Sequence, residues 1–266
     1  MEITPSVTEI NNPGYQPRNY RGGMGKGRFR SFTAAYMDTD LWVGYNSPDD
    51  ERLTDTIKEK VLSTIRELRA GVEAYAGRDP HFYRALTPYE PTVAGPDIVR
   101  IMFDAARRAG VGPMAAVAGA FARETARALE DIFNLTELVI ENGGDNYIKI
   151  AHPAVVSVFA GASPLSEKIG LEILPGQTPL GICTSSGTIG PSLSFGKADA
   201  LTIVSRDPAW ADAYATYFGN RVKNASDIEP VLDDIAGHPE ILGALIVVGE
   251  RMGIRGQFPL RILEKP

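Results

Sequence analysis

Three short stretches combine small residues, hydroxyls and carboxylates in ways that suit phosphate and cation chemistry. The first is Glu141-Asn142-Gly143-Gly144-Asp145. Adjacent glycines between apolar runs permit positive φ and close backbone approach, and their amides can form an anion-binding nest. Asn142 and Asp145 add hydrogen-bonding groups beside them, while an ordinary hairpin turn is the alternative reading. The second stretch runs from Gly181 to Gly190, where Thr184, Ser185, Ser186 and Thr188 interleave with Gly181, Gly187 and Gly190. Small donors and bare amides crowd readily around phosphate oxygens, although a Ser/Thr-rich surface turn has the same composition. Cys183 within it reads as a small buried residue on a strand. The third stretch is Ala211-Asp-Ala-Tyr-Ala-Thr216. Asp212 and Thr216 stand at i and i+4 and project from one helix face. A carboxylate and a hydroxyl so placed can hold a hard cation such as Mg²⁺; a solvent-facing Asp in the first turn is the alternative.

Other residues carry weaker signals. Arg18, Arg21, Lys26, Arg28 and Arg30 place five positive charges in thirteen residues without an acid. The enclosed Gly22–Gly27 run does not match GxxxxGK[ST], so it reads as a flexible basic turn before a strand. Asp145, Asp199 or His152 could serve as acid or base, with His152, just before Pro153, reading as a loop residue. There is no GxSxG for a serine nucleophile and no GxGxxG after a strand.

The elements that must position these residues follow from periodicity. Phe29–Tyr45 reads as a strand or hairpin turning at Asp38-Thr39-Asp40. Ser47-Pro48-Asp49-Asp50 opens a helix whose stripe is Leu53, Ile57, Val61, Ile65, Leu68 and Val72. A proline-rich connection with Pro80, Pro88, Pro91 and Pro96 follows, either covering a pocket or simply crossing over. Asp97–Ala109 is a second helix, broken at Gly110. Pro113 begins a third that reaches Phe133. The nearly all-small Ala115–Ala120 face lets another backbone or a ligand approach, most simply a sheet. Short β runs follow at Leu138–Glu141, Asp145–Ile150, Val155–Ala160, Ile169–Leu174 and Ala200–Ser205. Helices at Pro208–Val222 and Ile228–Ile235 precede closing strands at Ala244–Gly249 and Phe258–Leu263. Helices early and consecutive strands late argue for an α+β fold with a largely antiparallel sheet. The chain divides into an N-terminal arm, residues 1–20, and a single domain, residues 21–266. An open antiparallel sheet has edges to cover, which makes a homodimer an expectation.

Composition excludes several functions. With 27 Lys+Arg against 33 Asp+Glu, the net charge of −6 has the wrong sign for bulk nucleic-acid or anionic-membrane binding. One cysteine excludes an intrachain disulfide or zinc–thiolate cluster, and three separated histidines argue against a His-rich metal site. No run approaches a membrane helix, and the start lacks a secretion signal, so the expected location is cytoplasmic.

Taken in order, Asn142-Gly-Gly-Asp145, Thr184-Ser-Ser-Gly187 and Ala211-Asp-Ala-Tyr-Ala-Thr216 resemble the N-x-G-G-D, T-S-G and A-D-A-x-x-T motifs of ApbE-type flavin transferases. The string Thr184–Ala200, with Thr39-Asp40-Leu41 and Gly112–Gly119, is similar to an uncharacterised, mostly prokaryotic branch of that superfamily. The resemblance spans about residues 20–260. It implies a T-fold-type α+β domain with helices on one face of the sheet. It also implies an FAD or FMN site held by Asn142, Gly143, Gly144, Asp145, Thr184, Ser185, Ser186, Gly187 and Thr188, with Mg²⁺ on Asp212 and Thr216. The implied reaction is Mg²⁺-assisted phosphoryl chemistry, as a diverged FMN transferase or FAD hydrolase, with a nucleotide ligand and an acceptor protein as partners. ApbE enzymes carry a His and then D-P-x-T-G after T-S-G, where this chain has Gly190-Pro191-Ser192. The same resemblance therefore also implies a non-catalytic accessory protein of this fold, with a partner in sulfur assimilation or homocysteine formation.

Overall fold

The computed structural model describes residues 8–9, 18–49, 53–188 and 194–263. Asp50 at the predicted helix opening, Gly190-Pro191-Ser192 and most of the N-terminal arm lie outside these residues. A nine-stranded sheet forms the centre. Its strands are β1 (Thr8–Glu9), β2 (Arg30–Tyr36), β3 (Thr39–Asn46), β4 (Glu137–Asn142), β5 (Asp145–Lys149), β8 (Leu180–Ser185), β9 (Ala200–Ser205), β10 (Ile241–Val248) and β11 (Arg251–Gly256), in that spatial order. Every pairing is antiparallel except β1 with β2. A smaller antiparallel sheet is built from β6 (Ala154–Ser157), β7 (Ile169–Ile173) and β12 (Leu260–Ile262). Five α-helices complete the fold: α1 (Leu53–Arg78), α2 (Asp97–Ala109), α3 (Val117–Glu130), α4 (Pro208–Gly219) and α5 (Ile228–Ile235). The expected α+β class with a large antiparallel sheet is what the chain adopts.

Strand alternation sorts side chains between two layers. On β4, Leu138 and Ile140 face the helices, packing with Ile57, Val61 and Ile65 of α1 and Ala122, Ala126 and Leu129 of α3. Between them Val139 faces the opposite way, toward Ile169, Leu171 and Ile173 of the small sheet. The α1 stripe is thus core, and each fully buried side chain of this kind contributes about 1.5–3 kcal/mol of apolar transfer energy. Helices α2, α4 and α5 join the same helical layer over β8–β10. No described helix is long and apolar enough to cross a membrane.

Local chemistry sets several boundaries. Helix α2 ends at Gly110, whose φ of 78° is left-handed and whose amide donates to the Ala106 carbonyl at 2.9 Å. The β2–β3 turn falls at Met37-Asp38, one residue earlier than expected, so Thr39 and Asp40 begin β3 and are buried. Strands β1 and β11 escape the sequence reading, the latter forming a sheet edge, and β8, in the first half of the Gly/Ser/Thr stretch, is foreseen only at Cys183, buried on it as expected.

Candidate functional site

Helix α4 starts where its sequence dictates. Asp207 caps it by accepting from the Ala209 amide at 2.8 Å, and Pro208 fills the first turn. Arg123 of α3 bonds Asp207 at 2.6 Å, fixing the two helices together. One turn along α4, Asp212 points at the start of α3, where its Oδ2 accepts from the Gly119 amide at 2.9 Å. A Cβ on Gly119 would lie inside contact distance of the Pro208 carbonyl and 2.9 Å from Asp212 Cβ. The small residues of Ala115–Ala120 therefore admit another helix, α4, at this point, rather than a sheet.

The glycine turn between β4 and β5 meets the same place. Asn142 donates through Nδ2 to the Ala118 carbonyl at 3.2 Å. Asp145 opens β5 opposite Cys183 of β8, and the Thr184 amide donates to the Gly144 carbonyl at 3.2 Å. Asp145, Cys183, Asp212 and the opening of α3 consequently converge beneath the helical layer. Burial raises both carboxyls: Asp212 is pushed up to about 7 despite the Gly119 and Ala118 amides, and the Asp212 charge helps hold Asp145 well above the carboxylate range. Burial and these two acids also keep the Cys183 thiol protonated. Two acids facing each other in this way hold a proton or require a cation.

Among the described residues no group of three or more His, Cys, Asp or Glu is placed to hold a metal. A carboxylate supplemented by hydroxyl and carbonyl oxygens fits a hard cation. Thr216 lies one turn beyond Asp212 on α4 and is partly buried.

The remaining candidates are only partly gathered here. Thr184 turns its hydroxyl to the opposite sheet face, where it bonds Thr202 Oγ1 at 2.8 Å. Ser185 packs beside Gly219 at the far end of α4. Ser186, Gly187 and Thr188 are less enclosed, and Thr188 donates to Asp199 at 3.4 Å while Asp199 also accepts from the Gly249 amide at 2.6 Å. Asp199 thus fastens two turns. None of the three histidines joins the carboxylate pair: His81 lies edge-on to Tyr89, His238 edge-on to Tyr214 and Phe218, and His152 is an exposed loop residue whose backbone bonds Glu137 and Arg28.

The basic segment packs against the sheet beside the glycine turn, an arrangement that sequence reasoning did not foresee. Residues 19–23 form a 3₁₀ turn lying against β3 and β4. Arg21 bonds Glu141 Oε2 at 2.5 Å and Asp40 Oδ1 at 2.8 Å, and both acids are buried. Burial works against the Arg21 charge, but Glu141 and Asp40 overcome it and raise its pKa. Tyr20 donates to Glu141 Oε1 at 2.7 Å, and the Gly144 amide donates to that same oxygen at 2.9 Å. One amide of the predicted anion nest is therefore engaged by the chain's own carboxylate. Further along, Arg28 bonds Glu137 at 2.6 Å. The signal was the unopposed arginines beside Thr39-Asp40 and Glu141, but their pairing spans 120 positions.

Comparison with known proteins agrees with this architecture. A family model described as AbpE bacteria matches residues 22–235. A UPF0280 protein of Methanocella arvoryzae is 42% identical over 198 residues, covering 74% of this chain and 80% of that protein. A UPF0280 protein of Methanoculleus marisnigri is 42% identical over 211 residues, covering 79% and 83%. Among solved structures, the flavinyl transferase ApbE of Pseudomonas stutzeri in its apo form aligns with a TM-score of 0.55 at 13% identity, over 85% of this chain and 93% of that one. The apbe protein of Thermotoga maritima aligns with a TM-score of 0.53 at 13% identity, over 86% and 97%. The structural likeness is one of fold. With the family model covering most of its length and the UPF0280 proteins sharing two-fifths of its aligned residues, this chain belongs to the AbpE bacteria family, in its UPF0280 branch.

Proposed function

We propose that the protein binds a flavin nucleotide, FAD or FMN, and assists phosphoryl chemistry on it with Mg²⁺. The observation that carries this reading is the convergence of Asp212 with Asp145, the Gly143–Gly144 turn and the start of α3. Asp212 and Thr216 would hold the cation, which when bound would offset charge on the diphosphate. Asn142 would keep the glycine turn against α3, and Ser185, Ser186, Gly187 and Thr188 would border the nucleotide. In hydrolysis, a water oxygen bonds to one phosphorus as the bridging P–O bond breaks, giving FMN and AMP. In transfer, an acceptor protein's hydroxyl takes the place of water and AMP leaves. The name of the P. stutzeri neighbour, a flavinyl transferase, supports the ligand class.

A second reading, binding without turnover, is favoured by the placement of the histidines. None stands beside Asp145 and Asp212, so no imidazole is at hand to accept a hydroxyl proton. Titration of the purified protein with FAD, with and without Mg²⁺, followed by chromatography of the mixture, separates the readings. Metal-dependent binding with FMN and AMP formed supports the first. Binding with FAD intact supports the second, and absence of binding removes both.

A further inference from the structure

We infer that Arg18 is the anion-contacting residue of this site, supplying over the Gly143–Gly144 turn the positive charge that a phosphate-bearing ligand meets. The inference rests on the flavin-nucleotide reading for the ligand's identity, but its geometry is independent of the flavin. Gly143 has a φ of 71°, and a Cβ built there would lie 2.9 Å from Arg18 Nη2. The missing side chain is what lets the guanidinium lie on the turn. Gly144, the next residue, accepts the Thr184 amide and joins the turn to β8, so Arg18 stands at the junction of both glycine-containing stretches.

Division of labour between the two arginines supports this role. Arg21 makes the short bonds to Asp40 and Glu141 and is 10% exposed. Arg18 reaches the same acids only at 3.9 and 3.8 Å and is 20% exposed. Its short bond, 2.6 Å from Nη1, goes to the uncharged carbonyl of Asp40. Its charge is therefore less neutralised than that of Arg21, and the carbonyl holds the planar fork in one orientation. A preoriented guanidinium suits bidentate contact with phosphate oxygens. Tyr20 stacks on Phe159 with ring centroids 5.6 Å apart, and Phe159 is partly exposed, which steadies the turn carrying Arg18 without using its charge.

The test compares wild type, Arg18→Gln and Arg18→Lys by calorimetric titration with three probes in the presence of Mg²⁺: FAD, riboflavin and inorganic pyrophosphate. Thermal denaturation without ligand verifies that each variant is folded. In Arg18→Gln, affinity for FAD and pyrophosphate falls about ten- to a hundredfold, the range of a charged hydrogen bond, while riboflavin affinity is unchanged. Arg18→Lys, which keeps the charge but not the fork, falls between. A merely structural role would weaken FAD and riboflavin alike, and that result overturns the inference, as does unchanged FAD affinity in Arg18→Gln. If wild type binds pyrophosphate with the Arg18 dependence but no FAD, the flavin reading fails and the anion site stands. If wild type binds neither FAD nor pyrophosphate, both fail.

Discussion

The Gly119 amide and the Asp212 carboxylate meet at 2.9 Å, so an acid predicted to hold a cation also holds the first turn of α3. The contact exists because residue 119 has no side chain, and the Pro208 carbonyl occupies the place of a Cβ. Gly119→Ala must push α3 and α4 apart or strain both. It should cost about 1–3 kcal/mol, the usual penalty for overpacking. Gly77→Ala in α1, where a Cβ meets nothing within 4 Å, should instead stabilise by about 0.5–1 kcal/mol. Urea denaturation of the two variants reads the opposite signs directly. Equal effects would mean that the helices do not approach as closely as described.

Replacing Asp212 by Asn keeps an oxygen for the Gly119 amide while removing the charge. The fold should therefore survive, and without metal the variant should be at least as stable as wild type, since a half-buried acid facing the buried Asp145 is gone. The proposed cation site would be lost. Differential scanning calorimetry at neutral pH should show a Mg²⁺-dependent rise in Tm for wild type and none for Asp212→Asn. A variant that still responds to Mg²⁺ would place the cation elsewhere.

How much of this could be read from the chain depends on whether local or distant contacts decide. Helix α2 has the expected limits, Asp97–Ala109, because apolar spacing and a left-handed Gly110 are both local. Strand β8 was obscured by its own glycines and hydroxyls. Gly181 is bare because α4 crosses it, with Pro208 N 2.5 Å from where a Cβ would stand, a packing reason invisible in the local pattern. Strand β11 went unseen because an edge strand, Arg-Met-Gly-Ile-Arg-Gly, carries no alternation of buried and exposed residues. At the site, the residue types of Asp145 and Asp212 were legible, as was the cluster of arginines. Which acids the arginines clamp was not, since Arg21 and Glu141 are joined only by the pairing of β3 with β4.

Glu137 should make stability fall with acid. Burial alone would raise its pKa, but Arg28 at 2.6 Å, the Ala151 amide at 2.9 Å and Asn46 at 2.7 Å hold it down at about 2. A carboxyl depressed in the folded state stabilises above its unfolded value, here 4.5, and loses that contribution as pH falls toward about 2. The contribution is roughly 3 kcal/mol. Urea midpoints for wild type and Glu137→Gln should therefore differ most near neutrality and converge across that interval. A pH-independent difference would mean that the ion pair with Arg28 does not set the carboxyl's charge.

Arg21 and Arg18 should separate stability from binding. Removing Arg21 leaves Asp40 and Glu141, each 2% exposed, facing one another without their short-range partner. Arg18 remains at 3.9 and 3.8 Å from these acids, so the loss should approach, without exceeding, the roughly 3–5 kcal/mol of a fully unpaired buried charge. Tyr20 and the Gly144 amide still bond Glu141, but neither carries a positive charge to oppose it. Arg21→Met should therefore be strongly destabilised, whereas the triple variant Arg21→Met, Asp40→Asn, Glu141→Gln should recover most of the loss because no buried charge remains. Arg18→Gln, whose ion pairs are longer and more exposed, should move the urea midpoint by about 1 kcal/mol or less. If Arg21→Met proves as mild as Arg18→Gln, the clamp across β3 and β4 is not what fixes this segment against the sheet.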